Sequence, residues 1–190
     1  MRTLRAGQSA LLLLDAVAVL KREAIEYAVI GAMAASVHGA LRATADADAL
    51  LSVSVSKLAG LSRTFRKAGF ETELRRGDAD DPIPAMLVVS DAHGNRVDLL
   101  GGLRGLDQQL FSRAVEVPFS GEILRIVGRE DFIAMKCFAG GPQDIADASL
   151  ALRSAMEPVD LDLLRRVTRR FGRNAADKLE QVLAQRSQAR

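Results

Sequence analysis

VIGAMAASVHGALRATADADALL, residues 29–51, sets the order of everything around it. A short apolar run, Tyr27 to Ile30, stops at Gly31. A small-residue helical stretch, Ala32 to His38, follows and is closed by Gly39. A basic turn, Ala40 to Thr44, then leads into a second strand that carries Asp46 and Asp48. Side chains alternate between the faces of a strand, so the two carboxylates share one face while Ala45, Ala47 and Ala49 take the other. Standing roughly 6–7 Å apart along the strand, they repel each other unless a cation lies between them.

Hard oxygen ligands of this kind suit Mg²⁺. Two such ions about 3.5–4 Å apart can clamp the attacking and leaving oxygens of a phosphoryl transfer. The small residues ahead of the carboxylates fit that chemistry. Gly31 lets backbone approach a phosphate closely, and the helix after it presents N–H groups to an anion.

A Gly-small pair ahead of an Asp-x-Asp strand resembles the signature of the DNA polymerase β-like nucleotidyltransferase superfamily. The longer string Gly31, His38-Gly39, Arg42, Thr44, Asp46, Asp48 resembles its AbiEii/AbiGii toxin-type branch. The chain departs from the pattern at Ala32, where the family carries Ser or Gly. The resemblance implies an α/β nucleotidyltransferase fold: a mixed, twisted sheet flanked by helices, with a C-terminal helical extension. It implies transfer of a nucleoside monophosphate from an NTP to an acceptor hydroxyl, on RNA, tRNA or protein, with Mg²⁺ or Mn²⁺ as cofactor. Asp46 and Asp48 would hold the metal ions. Asp98 would complete the metal set and take the acceptor's proton. Gly31, Ala32, Arg42, Thr44, Lys136 and Asp144 would bind the nucleotide. An antitoxin protein is an expected partner.

Composition bounds these expectations. A chain of 190 residues fits one compact domain, or one with a helical extension. We expect a nucleotidyltransferase core over 1–128 and a helical region over 129–190 packed on it. Apolar content of 48% is ordinary for a protein that buries a core. A formal charge of +2 gives no bulk polyelectrolyte signal for nucleic acid. The one cysteine, Cys137, rules out an intramolecular disulfide and suits a reducing compartment. The apolar run Leu11–Leu14 and Ala16–Leu20 is interrupted by Asp15 and is too short to span a bilayer. It reads as a buried helix, and the protein as cytoplasmic with no membrane partner.

Along the chain, a first helix is expected over 8–24 with Ser9 as its N-cap. Strands are expected over 26–31 and 46–53, with a short helix over 32–39 between them. Val55, Leu58, Leu61 and Phe65 recur at helical spacing, giving a helix over 54–68 whose Arg63, Arg66 and Lys67 face water. A strand over 70–75 precedes GDADDPIP, residues 77–84, an acidic surface turn. Residues 85–91 and 95–100 form a hairpin around Ala92-His93-Gly94-Asn95, with His93 a turn residue.

Within the second hairpin strand, NRVDLL, Asp98 stands alone among apolar residues, a choice that strand propensity disfavours. An edge position facing water would explain it. The resemblance gives another reason, a third carboxylate on the strand beside Asp-x-Asp. A helix is expected over 104–112, and strands over 113–118 and 122–127.

Arg129-Glu130-Asp131 opens a further helix through Phe138 that bears Lys136, and Gly140-Gly141-Pro142 breaks it. The next helix begins at Gln143-Asp144. Asp144 and Asp147 match the family's two acids there, while Gly141 and Gln143 stand where Arg and Lys are common. Acids in a first turn also complement the helix dipole. Two more helices fill the tail after Pro158. Arg165, Arg166, Arg169 and Arg170 share a face there, read as solvated or as an RNA or protein surface. Two rival functions remain open: a nucleotide-binding domain that has lost its chemistry, and a non-enzymatic module of a toxin–antitoxin pair.

Overall fold

A computed structural model describes residues 1–40, 45–78, 80–154 and 158–188. In chain order its elements are α1 (Ser9–Arg22), β1 (Tyr27–Val29), α2 (Gly31–Val37), β2 (Ala47–Leu51), α3 (Val55–Lys67), β3 (Glu71–Arg76), β4 (Ala85–Ser90) and β5 (Arg96–Gly101). There follow α4 (Leu110–Arg113), β6 (Val115–Phe119), β7 (Glu122–Ile126), α5 (Arg129–Ala139), α6 (Pro142–Arg153), α7 (Leu161–Arg170) and α8 (Arg173–Gln188).

The described strands form one mixed sheet in the order β3-β4-β5-β2-β1-β7-β6. Pairing is antiparallel except for β2 with β5 and β1 with β7. Register sorts the side chains into two faces. Ala47, Val97 and Val89 align across three strands, as do Ala49, Leu99 and Leu87, and all are nearly or fully buried. Alternation predicts this face as apolar, and α1 and α3 cover it. Gly101 lies in the same face, where an added Cβ would come within 3.0 Å of Leu58 in α3. The opposite face carries Asp48, Asp98, Val88 and Glu73 in one row across β2, β5, β4 and β3.

The helices follow their apolar spacing. In α3, Leu58, Leu61 and Phe65 are buried while Arg63, Arg66 and Lys67 are exposed. The C-terminal helices pack on one another, with α5 against α6, α7 and α8, and their apolar side chains join the core of the sheet. Phe132, Ile133, Ala134 and Cys137 are the buried apolar residues of α5. Ser154, just after α6, donates its hydroxyl to the carbonyl of His38 at 2.7 Å, tying these helices to the end of α2.

Several expectations are corrected. The helix expected over 104–112 is only Leu110–Arg113. Left-handed backbone at Gly102 and Gly105 turns the chain instead. Ser9 does not cap α1, whose N-cap is Gln8. Its hydroxyl is used between strands, as described below. The first strand is shorter than 26–31, because Gly31 takes a left-handed φ of +63° and begins α2. The second starts at Ala47, leaving Asp46 just ahead of it. The basic face of α7 is partly spent within the chain. Arg165 pairs with Glu180 of α8 at 2.8 Å, and Arg170 donates to the carbonyls of Gly105 and Leu106. Arg166 and Arg169 stay exposed. Among the described residues no helix is long and apolar enough to cross a membrane.

Candidate active site

Asp48 and Asp98 are direct register partners on the neighbouring parallel strands β2 and β5. Parallel pairing in register sends their side chains to the same face. Asp98 is buried, at 8% exposure, and Asp48 is half-buried. Asp46 lies exposed just before β2.

The first strand–helix turn seats Asp48. The amide of Ile30 donates to the carbonyl of Asp48 at 2.9 Å. Gly31 then turns left-handed directly beneath the carboxylate. A Cβ on Gly31 would overlap Asp48 Oδ2 and lie 3.1 Å from its Cγ. No side chain larger than hydrogen fits there without moving the acid.

Crowding shows in the proton affinity of Asp48. Its carboxyl is pushed up to about 6, by burial first and then by the nearby charges of Asp98 and Asp46. Arg96 and Lys136 act in the opposite direction, less strongly.

Arg96 is the functional candidate that sequence reasoning missed. It opens β5 two residues before Asp98 and so shares its face. Its guanidinium forks onto Asp98, with Nε to Oδ1 and Nη2 to Oδ2 both at 2.7 Å. The i, i+2 spacing of Arg and Asp in a strand was the available signal.

Ser9 was assigned a different task by its sequence context. Its hydroxyl donates to the carbonyl of Ala45 at 2.5 Å and accepts from the amide of Arg96 at 3.1 Å. The first turn of α1 thereby pins the starts of β2 and β5, next to Asp46 and Arg96.

The remaining predicted residues are distributed around this centre. Ala32 is buried and its methyl borders an apolar cavity of about 270 Å³, together with Met33, Val37, Val117 and Phe119. Arg42 and Thr44 lie outside the described residues. Lys136 reaches between Asp144 and Asp147 of α6, with both ion pairs at 2.8 Å, and stands over the Phe132 ring. Gln143 donates to Asp147 at 2.9 Å, and the amide of Gly141 donates to Asp144 at 3.3 Å. The charge of Lys136 is therefore matched within its own cluster, while remaining near enough to act on Asp48. His38, unassigned beyond the resemblance, donates from Nε2 to the carbonyl of Val127 at 2.8 Å. Burial holds its ring below the usual imidazole range.

Asp46, Asp48 and Asp98 are hard oxygen donors, and the charges of Asp98 and Asp46 help to raise the Asp48 carboxyl, so the chemistry of the donors fits a hard divalent cation. The set is not preassembled. Among the described residues no three His, Cys, Asp or Glu side chains are gathered so as to hold an ion, and Arg96 already engages both oxygens of Asp98.

No family model matches the chain, and no curated protein matches it in sequence. Solved structures do match its fold. An antigenic nucleotidyltransferase-like protein from Paracoccidioides brasiliensis is similar with a TM-score of 0.57 at 15% identity, over 97% of this chain and 91% of that one. The ANT(2'')-Ia enzyme in complex with adenylyl-2''-tobramycin is similar with a TM-score of 0.56 at 13% identity, over 84% and 94%. The lincosamide antibiotic adenylyltransferase LnuA, bound to lincomycin, gives 0.50 at 10% identity, over 80% and 100%. With its mixed sheet and flanking helices, the chain has the nucleotidyltransferase fold.

Proposed function

We propose that this chain is a nucleotidyltransferase, moving a nucleoside monophosphate from an NTP to an acceptor hydroxyl. The observation that carries the reading is the registered pair Asp48 and Asp98, seated over the obligatory glycine at position 31. Residues 1–128 form the core in this reading, and 129–190 the helical region packed on it. Asp46, Asp48 and Asp98 are the residues that would hold Mg²⁺ or Mn²⁺. Such an ion, when bound, neutralises phosphate charge and lowers the pKa of a ligated hydroxyl.

The chain's own groups do the rest. Gly31 gives its side-chain space to the Asp48 carboxylate, at the turn where the phosphates would bind. Asp98 receives the proton of the acceptor hydroxyl at a carboxylate oxygen. Arg42, Thr44, Lys136 and Asp144 complete the nucleotide site, with Ala32 at the start of α2. The acceptor is RNA, tRNA or protein on the resemblance to the AbiEii/AbiGii branch, which also supports a toxin–antitoxin setting. The adenylyltransferases among the structural neighbours add small hydroxylated acceptors to the panel worth testing.

A domain that binds nucleotide without transferring it is the second reading. The pairing of Lys136 with Asp144 and Asp147 favours it, since a lysine already neutralised offers less to a triphosphate. The discriminating experiment incubates the protein with each α-labelled NTP, Mg²⁺ or Mn²⁺, and a panel of RNA, cell protein and small alcohols. Label on an acceptor, lost in Asp46→Ala, is the expected result. Saturable NTP binding with no labelled acceptor across the panel would favour the second reading.

A further inference from the structure

Asp98 does not face an empty space. Both of its oxygens are engaged by the Arg96 fork, whose side chain is 31% exposed against 12% for the acid. The pair is tethered at its base by the hydrogen bond from the Arg96 amide to Ser9. Around it, Asp46 attracts the guanidinium and Arg75 of β3 repels it. A carboxylate buried beside Asp48 would be an uncompensated charge without such a partner, and a bidentate, charge-assisted contact compensates both of its oxygens.

We propose that Arg96 is a resident counter-ion for the site, holding Asp98 in place until a divalent cation arrives and competing with that cation for the same carboxylate. The proposal rests on the reading that Asp46, Asp48 and Asp98 hold a divalent ion. A guanidinium and a metal ion on one carboxylate repel each other at short range. Binding of the ion therefore weakens the Arg96 contact, and the exposed part of the Arg96 side chain gives it somewhere to go. Arg96 is thus a positioning residue, acting through Asp98. The exchange keeps a cation on Asp98 at every stage, so the acid is never buried without a partner.

The test is Mn²⁺ binding to the full chain, followed by electron paramagnetic resonance of the free ion, with melting temperature recorded alongside. Removing a unit charge this close should tighten Mn²⁺ binding about tenfold in Arg96→Ala, by the Coulomb scale of adjacent ions. The same variant should melt below wild type without metal and recover with Mn²⁺. Arg96→Lys keeps the charge but loses the fork, and should fall between the two. In an Asp98→Asn background the gain on removing Arg96 should shrink to at most a few-fold, since only through-space repulsion by Arg96 on an ion at Asp46 and Asp48 is left.

Wild-type or weaker Mn²⁺ affinity in both Arg96 variants overturns the proposal while leaving the metal reading intact. A gain that is undiminished in Asp98→Asn also overturns it, since Arg96 would then not act through Asp98. Absence of Mn²⁺ binding in wild type and in every variant overturns both this proposal and the carboxylate site it depends on.

Discussion

The carboxylate of Asp48 rests on the bare Cα of Gly31: a Cβ there would overlap Oδ2 and stand 3.1 Å from Cγ. The glycine is required twice, once for its left-handed φ of +63° and once for that approach. Gly31→Ala should therefore cost about 1–3 kcal/mol for backbone strain and in addition displace Asp48. Gly94→Ala is the control, with φ +79° and nothing within 4 Å of the added Cβ. Denaturant unfolding should show the larger loss in Gly31→Ala, and only that variant should lose its Mn²⁺-induced rise in melting temperature. Equal losses in the two variants would mean that Asp48 does not depend on Gly31.

The proton affinity of Asp48 sets a pH signature. With its folded pKa pushed up to about 6, the folded chain keeps a proton that the unfolded chain releases near pH 4. Stability without metal is then highest below pH 4 for this group. It falls as pH rises to about 6 and is flat beyond, by an amount on the order of 2–3 kcal/mol. Asp48→Asn carries no such group, so its stability relative to wild type should climb between pH 4 and 7. Unfolding curves at four pH values measure this, and a pH-independent difference would show that Asp48 titrates normally.

Asp98→Asn keeps the shape of the acid and removes its charge and basicity. Turnover should fall by about two orders of magnitude, the scale of a lost general base. NTP affinity should change little, because its expected contacts lie at Gly31 and the metal ions held by the other acids. Single-turnover labelling beside equilibrium NTP binding separates the two quantities. Near wild-type turnover would remove Asp98 from the chemistry.

Lys136 bridges two acids, one of them, Asp147, buried at 1% exposure. Lys136→Ala removes the ammonium from that buried acid, to which Gln143 also donates, and should destabilise the chain by about 3 kcal/mol. Loss of activity in this variant must be read at a temperature where it is folded. A destabilisation below about 0.5 kcal/mol, the scale of a surface pair, would show that water reaches the cluster.

Cys137 is fully buried and its thiol is pushed up to about 12 by burial. A thiolate is the reactive form, so the native protein should resist alkylation at pH 8 and react only on unfolding. Labelling measured across a denaturant series should follow the unfolding transition.

Much of this architecture was legible because periodicity and breakers report backbone geometry directly. Alternation around Asp46 and Asp48, the helical spacing of Leu58, Leu61 and Phe65, and the turn at Ala92–Asn95 each marked an element that the structure contains. The stretch after Gly102 failed because its apolar residues resemble a helix while its glycines take left-handed turns, and tertiary packing chose the turns. Ser9 was placed at the right helix end with the wrong bond, since a hydroxyl's partner lies in another strand and is invisible locally. Arg96 was missed although its i, i+2 spacing from Asp98 puts both on one strand face, because spacing alone does not show that the two side chains join in a fork. Lys136 was read from resemblance as a phosphate ligand, and only the fold shows the two acids that claim it first.

The parallel pairing of β2 with β5 has a consequence for how the chain is made. Asp48 and Asp98 meet only after α3, β3 and β4 have been synthesised and β5 has slid in beside β2. Such a long-range closure is slow and comes late, because chain entropy must be lost before any contact rewards it. A nascent chain that ends short of β5 holds Asp46 and Asp48 with neither Asp98 nor Arg96. The charge cluster is thus assembled by the same event that joins β5 to β2, and a copy of the protein that stops short of β5 cannot contain it.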